Sequence, residues 1–381
     1  MSTVQDLSEL MSSRAITDDC RKAPGGVVYL GYQTNTEAGE LRRIEFAART
    51  CYKSEDNMNA LSSEHLFHKL MERQHYAMIR FGERTVIMDA LCWRAFKEML
   101  TEYQQIAYWR WVPLMDTVAV TANLQCWYFL AKILAYVAAN PHSQQSVVDL
   151  YKGKKEIFHQ YVETIIAIFT GWPVMSHYIR KELETPDLEA FYSNVSPAYI
   201  EEPDFEMMTD GKHQYYKNLL RHTFRVVTDR GITHEIVRHT TLSYGQESTR
   251  YVRYDPKGDA LPIWIPEHMI GHPAAKAFQD ALRKALLVYN TWTTGLAQAE
   301  HLDDIPEKDR LVPGDARNFL PHCLKTEIVI SGYLDESPIG KEFNAGLSHF
   351  VDMRYDKAAH KGIQPIGREV AKHLNISLDK I

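Results

Sequence analysis

The stretch from Asn123 to Ala139, NLQCWYFLAKILAYVAA, carries apolar side chains nearly all the way round a helix. A helix that faces water on one side keeps polar residues on that side, so this one has to be covered everywhere. Its cover is either the core of the same chain or the surface of another subunit, and the pattern alone leaves both open. The chain must therefore build an interior or an interface around this segment.

Apolar residues recur at helical spacing in several other parts of the chain. The predicted helices cover residues 37–53, 62–73, 148–169, 274–298, 346–355 and 366–374. Residues 222–227 (HTFRVV) and 324–330 have strand character instead. Asp229, Arg230 and Gly231 should then turn the chain into a helix that starts at Thr233. Residues 197–212, rich in Pro, Asp, Glu and Met, are typical of a connecting loop.

This mixture of helices and strands predicts an α/β (α+β) fold. There is no internal repeat, low-complexity tract or Gly/Ser linker, which favours one domain over residues 1–381 that carries an insertion. Five scattered cysteines without a CxxC pair argue against a disulfide framework and against a zinc site, so we expect no metal.

Composition also bounds the partners. With 45% hydrophobic and 24% charged residues, the chain has the make-up of a globular protein. A formal net charge of −6 gives no general attraction for nucleic acid or an anionic membrane. No run approaches the roughly 18 apolar residues of a membrane span, and the first residues lack the apolar core of a signal peptide. We expect a cytoplasmic protein with a small partner, no nucleic acid polymer and no membrane.

The densest set of chemically useful residues begins at Arg238, where the chain reads RHTTLSYGQESTRYVRY. Guanidinium groups and short hydroxyls suit a phosphate, whereas amide and carboxylate groups suit the edge of a base. A solvated polar helix and loop would be an equal alternative if this run stood alone.

The run resembles the signature of the flavin-dependent thymidylate synthase family, which is RHR, seven residues and then Ser. Arg238, His239 and Ser248 fall at that spacing. The flanks TDRGITHEIVRH and QESTRYVRY resemble the family as well, as do three further blocks. These blocks are ARTCYKSED from Ala48, DARNFLPHCLKTEIV from Asp315 and HFVDMRYDKAAH from His349. Residues from about 85 to 221 have little counterpart in the shortest members, and we interpret them as a largely helical insertion.

The resemblance implies the substrate-binding residues. Ser248 and Arg250 correspond to the residues that hold the phosphate and sugar, and Arg317 to another arginine near the nucleotide. The remaining substrate-binding candidates are Glu235, Gln246, Glu247 and Arg354.

Arg354 is the leading catalytic candidate. It matches an arginine at the pyrimidine, where a cation would stabilise negative charge that develops on the uracil oxygens during addition at C5. Arg238 and Gln246 match positions between nucleotide and flavin and are the other catalytic candidates. Mutation of Arg354 should lower turnover more than nucleotide binding.

The family also implies the cofactors: FAD, with NADPH and methylenetetrahydrofolate as co-substrates, acting on dUMP or a related uracil nucleotide without a cysteine nucleophile. The candidate cofactor-binding residues are Arg238, His239, Thr240, Phe81, His349 and Asn344. Members form a homotetramer with shared active sites around a twisted sheet flanked by helices, and we expect the same here.

Three departures from the family pattern fall on the flavin side. Thr240 replaces the second Arg of RHR, and Arg80 and Phe81 stand in place of a Glu-His pair. Phe81 can still stack on a ring, and Arg80 can restore positive charge. An Asn-x-Arg motif is also missing near Tyr333 and Asp335, with Asn344 as a substitute.

Three functions therefore stay open. The first is a thymidylate synthase with a rebuilt flavin pocket. The second is a related flavoenzyme that acts on UMP or adds another one-carbon group, and the third is a nucleotide-binding protein without catalysis.

Overall fold

The computed structural model describes residues 24–59, 61–140, 155–184, 195–254, 264, 272–295, 305–335 and 346–378. The strands are β1 Val27–Tyr32, β2 Glu83–Asp89, β3 Trp109–Leu114, β4 Thr117–Asn123, β5 Ile200–Glu201, β6 Arg221–Asp229, β7 Ser243–Gln246 and β8 Lys325–Tyr333. The helices up to residue 183 are α1 Glu37–Tyr52, α2 Ser62–Glu72, α3 Tyr76–Ile79, α4 Ala90–Glu102, α5 Leu124–Ala139, α6 Lys155–Ile168 and α7 Pro173–Leu183. Those that follow are α8 Phe205–Thr209, α9 Arg230–Ile236, α10 Ala275–Thr294, α11 Pro313–Ala316, α12 Gly346–Tyr355 and α13 Gln364–His373.

The residues group into two compact units. Unit 1 comprises Met1–Gly31, Phe46–Met58 and His222–Ile381, and unit 2 comprises Tyr32–Glu45 and Asn59–Arg221. The described residues form two four-stranded sheets, one of order β1-β6-β8-β7 and one of order β3-β4-β2-β5. This is the mixed helix and strand architecture that the sequence predicted.

The core of unit 1 lies where the sheet meets α12 and α13. Phe224 and Ile330 from the strands pack in one cluster with Phe350 of α12 and Val370 of α13, and all four are 0% exposed. Burial of a side chain of this size contributes roughly 1.5–3 kcal/mol. The buried face of α12 therefore fixes the position of Arg354 in the last turn of that helix.

Helix α9 begins three residues earlier than predicted. The Asp229 side chain accepts a hydrogen bond from the backbone N–H of Ile232 at 2.8 Å and caps a helix that starts at Arg230. An aspartate in this position satisfies an N–H group that the first helical turn leaves unpaired. The start at Thr233 was wrong because Asp229 acts as the cap and not as part of a longer turn.

Other differences are smaller. The predicted loop 197–212 contains the two-residue strand β5 and the short helix α8, which Asp204 caps by accepting from Glu206 N at 3.0 Å. The predicted helical residues 148–154 and 296–298 lie outside the described residues. The other predicted helices and both predicted strands are confirmed, with shifts at their ends.

The segment interpreted as an insertion contains a sheet as well as helices. Strand β2 pairs antiparallel with β4 and β5, and β3 pairs antiparallel with β4. Six of the seven residues of β4, TVAVTAN, are buried. A strand that is covered on both faces loses the alternation of apolar and polar residues by which it is recognised. The prediction of a largely helical segment missed this sheet for that reason.

Helix α5 belongs to the core of unit 2. Ten of its side chains are buried, and its first turn is capped by Asn123, which accepts from Cys126 N at 3.1 Å. Trp127, 0% exposed, lies edge-on to Trp109 with ring centroids 4.5 Å apart. The sequence left open whether this helix is covered by the core of the same chain or by another subunit. The buried side chains show that the chain's own core covers most of it. Within the described part, no helix combines the length and apolarity that crossing a membrane requires.

Candidate active site

Arg354 is held by the turn that ends α9. Its Nε donates to Nε2 of His239 at 3.0 Å, Nη1 to Oε2 of Glu235 at 3.0 Å, and Nη2 to the backbone oxygen of Glu235 at 2.8 Å. The side chain remains 15% exposed. A guanidinium has five N–H donors, so three are used within the described residues and one on each terminal nitrogen is left for a ligand.

The turn that receives Arg354 is itself fixed. The hydroxyl of Tyr244, on β7, donates to the backbone oxygens of Ile236 at 2.9 Å and His239 at 2.6 Å. Helix α9 has only seven residues, so most of its stability must come from such tertiary contacts. Strand β7, helix α9 and helix α12 thus set the orientation of Arg354 together.

His239 is uncharged at neutral pH. Burial lowers the pKa of its imidazole to about 4, and the nearby Arg354 cation and His349 lower it in the same direction. Since an arginine Nε always carries hydrogen, Nε2 of His239 must be the acceptor and its proton must sit on Nδ1. The ring also lies edge-on to Phe350, with centroids 5.1 Å apart.

The other candidates from the same run surround this turn. Gln246 ends β7, and its side-chain amide donates to Oγ1 of Thr233 on α9 at 2.7 Å. Arg238 and Thr240 are exposed on either side of buried His239. The half-buried ring of His349, five residues before Arg354 on α12, has its centroid 5.5 Å from that of His239. The structure therefore brings these residues together within unit 1.

Ser248 and Arg250 lie in the segment after β7. The backbone N–H of Ser248 donates to the oxygen of Cys51 at 2.8 Å, and its hydroxyl accepts from the N–H of Arg250 at 3.2 Å. A Cβ placed on Gly314 would lie 3.9 Å from three atoms of Arg250, so the turn that leads to Arg317 runs beside Arg250. Both arginines are exposed. Arg250 and Arg317 thus lie on adjoining segments, and the backbone of Arg250 contacts the Ser248 hydroxyl.

Glu247 faces inward and is 4% exposed. Its Oε1 accepts from the hydroxyl of Tyr254 at 2.6 Å, and its Oε2 lies 3.5 Å from Nζ of Lys53. Its predicted contact with substrate stays a prediction. Neither Lys53 nor Tyr254 was predicted from the sequence, although Lys53 lies in the ARTCYKSED block and Tyr254 ends the signature run.

Two of the predicted flavin contacts are Phe81 and Asn344. Phe81 lies in unit 2 and is 1% exposed, so its burial does not support ring stacking, and its role stays a prediction. Asn344 lies outside the described residues. Arg80, predicted to restore positive charge, donates to Oε1 of Gln125 and lies 5.5 Å from the centre of the Tyr108 ring, all within unit 2.

The described cysteine thiols are poor nucleophiles. Burial raises the pKa of Cys51, Cys92 and Cys126 to about 12, and it also raises the pKa of Cys323. A thiol with so high a pKa is almost wholly protonated at neutral pH, whereas thiol chemistry needs the thiolate. Among the residues that the structure describes, no three His, Cys, Asp or Glu side chains group as metal ligands do.

Residues 203–376 match the family model of the thymidylate synthase complementing protein. Over these residues the chain is similar to that family. The matched part contains the turn after α9, the segment from Gln246 to Arg250, Arg317 and Arg354, but neither Lys53 nor Phe81.

Several proteins of known name are also similar to the chain. A flavin-dependent thymidylate synthase of Thermococcus onnurineus is 27% identical over 214 residues, covering 52% of this chain and 77% of the relative. The protein of the same name from Pyrococcus furiosus is 25% identical over 209 residues, covering 52% and 76%. That of Mycobacterium marinum is 30% identical over 149 residues, covering 38% and 53%.

Proposed function

We propose that this chain is a flavin-dependent thymidylate synthase, a methyltransferase that converts dUMP to dTMP with methylenetetrahydrofolate and NADPH through bound FAD. The family match and the relatives' names support this proposal. One observation carries the chemistry. Arg354 is fixed by Glu235 and His239 while two of its donors and 15% of its side-chain surface stay available.

The fixed guanidinium suits the step at C5 of the pyrimidine. When an electrophile adds there, negative charge develops on the carbonyl oxygens of the uracil ring. A cation already in place stabilises that charge without reorganising during the reaction, so its effect is larger in the transition state than in the ground state. The neutral His239 contributes by accepting one Arg354 hydrogen bond without adding a second positive charge.

Glu235 has a complementary role. Its carboxylate and backbone oxygen take one N–H from each terminal nitrogen of Arg354, which fixes the plane of the guanidinium. The ion pair also lowers the cost of holding a largely buried cation when no substrate is bound. The remaining donors then face the ligand in a set geometry, which is what selective contact with planar carbonyl groups needs.

The phosphate would be bound by residues 248–254, which we call the phosphate-binding segment. Ser248 offers a hydroxyl, and the exposed guanidinium groups of Arg250 and Arg317 lie on adjoining turns. Charge-assisted hydrogen bonds of this kind repay the cost of taking a phosphate out of water. Gln246, adjacent to α9, would orient the base between this segment and Arg354.

FAD would be held beside the same turn. Arg238 and Thr240 offer an exposed guanidinium and hydroxyl, and half-buried His349 offers a ring nitrogen, so these residues fit a flavin and its phosphates. When bound, the flavin supplies the hydride that completes the methyl group. Phe81 and Asn344 remain predicted contacts.

The wider architecture is part of the proposal. We infer one domain of the family's twisted-sheet type with an insertion at about 85–221, assembled as a homotetramer that shares its active sites in the cytoplasm. A tetramer would let arginines from different protomers meet at one nucleotide. A strictly monomeric mass in solution would contradict the shared site.

The decisive experiment identifies the product. Purified protein is incubated with methylenetetrahydrofolate, NADPH and either dUMP or UMP, and the nucleotides are analysed by mass spectrometry. The proposal predicts dTMP from dUMP, with a mass gain of one methyl group in place of hydrogen. Formation of a modified ribonucleotide, or transfer of a different one-carbon group, would refute the thymidylate synthase activity. Either product would support the related C5-modifying activity instead.

The absorption spectrum separates catalysis from binding alone. A flavoprotein is yellow as purified or becomes so with FAD, and the proposal predicts the flavin bands. Colourless protein that binds dUMP but takes up no FAD would identify a nucleotide-binding protein without catalysis.

A further inference from the structure

Lys53 lies at the centre of a group of charges in unit 1 and has no part in the function proposed above. It follows α1 directly, and its Nζ lies 2.6 Å from Oε2 of Glu327, 3.5 Å from Oε2 of Glu247 and 3.7 Å from Oε1 of Glu55. Its backbone has a φ of 50°, in the left-handed region that few non-glycine residues adopt. Such a conformation persists where surrounding contacts impose it.

Glu327 anchors this group of charges on the sheet of unit 1. Its side chain is 0% exposed on strand β8 and is paired with Arg225 of β6, with Lys53 and, at 2.6 Å, with Lys325. Burial by itself would raise the pKa of Glu327, but Arg225, Lys53 and Lys325 together hold that pKa well below its usual range. The carboxylate is therefore charged and tied to two strands of the sheet.

Glu247 connects Glu327 to the proposed phosphate-binding segment, because Glu247 directly precedes Ser248. Its N–H donates to the backbone oxygen of Glu327 at 2.8 Å, and Tyr254, which ends the segment, donates to its Oε1. Its Oε2 is buried and has no hydrogen-bond partner among the described residues, with the Lys53 ammonium 3.5 Å away. Loss of Lys53 would leave a buried carboxylate oxygen without its neighbouring cation.

We propose that Lys53 is a positioning residue for the phosphate-binding segment. By attracting the carboxylates of Glu327 and Glu247 to one ammonium, it holds Ser248 and Arg250 where a nucleotide phosphate can reach both. This inference rests on the proposed function of that segment.

The consequence of losing Lys53 follows from charge. Without the ammonium, Glu247 turns toward the nearest remaining cations. Arg230, whose Nη1 already donates to the Glu247 backbone oxygen at 3.3 Å, and Arg250 are the candidates in this segment. A carboxylate paired with Arg250 competes with the phosphate for the same guanidinium. Affinity for the nucleotide therefore falls through its phosphate, while the pyrimidine end at Arg354 is unaffected.

Lys325 offers a matched control. It also contacts Glu327 at 2.6 Å and is partly exposed, but no contact joins it to Glu247 within the described residues. Lys325→Met and Lys53→Met each remove one ammonium from the same carboxylate. Only Lys53→Met removes the cation beside Glu247.

The test compares binding of dUMP and of deoxyuridine, which lacks the phosphate, to the full chain by calorimetry. For Lys53→Met we expect the Kd for dUMP to rise roughly tenfold or more, with the deoxyuridine Kd unchanged. Lys325→Met should change the dUMP Kd by less than about threefold. Lys53→Arg should restore most of the affinity, and KM for dUMP should rise more than kcat falls in Lys53→Met.

Equal effects of the two Met variants on dUMP, or an equal loss of deoxyuridine binding, would overturn the inference while leaving the proposed function intact. A wild-type chain that binds no dUMP would instead refute the proposed function. If Lys53→Met does not fold, Glu247→Gln replaces it, since the amide keeps an acceptor for Tyr254 but not the charge that Lys53 attracts. Under the proposal, Glu247→Gln raises the Kd for dUMP and leaves the deoxyuridine Kd unchanged, and an unchanged dUMP Kd would contradict it.

Discussion

Arg354 donates its Nε hydrogen to Nε2 of His239 across 3.0 Å, so a permanent cation is held by an uncharged imidazole. The two residues are 115 positions apart in the sequence and come from the turn after α9 and from the last turn of α12. Their pairing explains how a partly exposed arginine keeps a defined orientation, and it makes the electrostatics of the candidate site depend on the protonation of one histidine.

Arg354→Lys should reduce kcat roughly 100- to 1000-fold while changing the Kd for dUMP less than about tenfold. A lysine keeps the charge, but it cannot contact His239, Glu235 and a ligand at once with a planar fork. Steady-state kinetics and calorimetry on the same preparation measure both effects. Arg368→Lys, an exposed arginine on α13, serves as the control and should be neutral. Wild-type kcat in Arg354→Lys would remove Arg354 from the mechanism.

The pH dependence of stability should report on His239. Its pKa is about 4 in the folded protein against 6.5 as its ordinary value, so the unfolded chain binds more protons between these limits. Stability should therefore be greatest above pH 6.5 and fall as the pH is lowered toward 4, by about 3 kcal/mol from this residue.

His239→Asn, which cannot titrate, should flatten that slope in chemical denaturation measured from pH 4 to 7. His234→Asn is the control, since the pKa of His234 is also lowered by burial but its side chain is exposed, so its contribution is screened. An unchanged slope in His239→Asn would show that other groups account for the pH dependence.

Glu327→Gln should lower the free energy of unfolding by roughly 3–5 kcal/mol, because it leaves Arg225 and Lys53 without their shared carboxylate. The wild-type contribution is present above the carboxyl's unfolded pKa and is lost only as the pH falls through the much lower folded pKa. Urea unfolding at neutral pH measures it. Asp280→Asn, at an exposed ion pair with Arg283, should change stability by less than about 1 kcal/mol. Equal losses in the free energy of unfolding for the two variants would contradict a stabilising role for the buried charges around Glu327.

Leu130→Ala should destabilise the protein by about 2–5 kcal/mol, because Leu130 is 0% exposed on α5 and the substitution leaves a cavity. Leu91→Ala is the matched control at a position that is 64% exposed on α4, and it should stay within about 0.5 kcal/mol of wild type. Thermal or urea unfolding provides the measurement. A small effect at Leu130 would mean that α5 is not a core helix of unit 2.

The sequence by itself determined the local structure and the choice of candidate residues. Apolar spacing sufficed to predict α1, α5 and α12, since a helical face repeats within one segment. The density of Arg, Ser, Gln and Glu after Arg238 indicated a site for a phosphorylated planar ligand, and these residues lie in the part of the chain that matches the family model.

The tertiary structure decided which of those side chains are accessible to a ligand and in which protonation state they are. Strand β4 escaped prediction because burial on both faces removes the alternation that marks a strand. Glu247 faces Lys53 and Tyr254, and His239 is neutral, because burial and charges brought from distant segments set both outcomes. Spacing along a chain fixes which neighbours share a helix face, whereas desolvation and ion pairing depend on residues that only folding brings together.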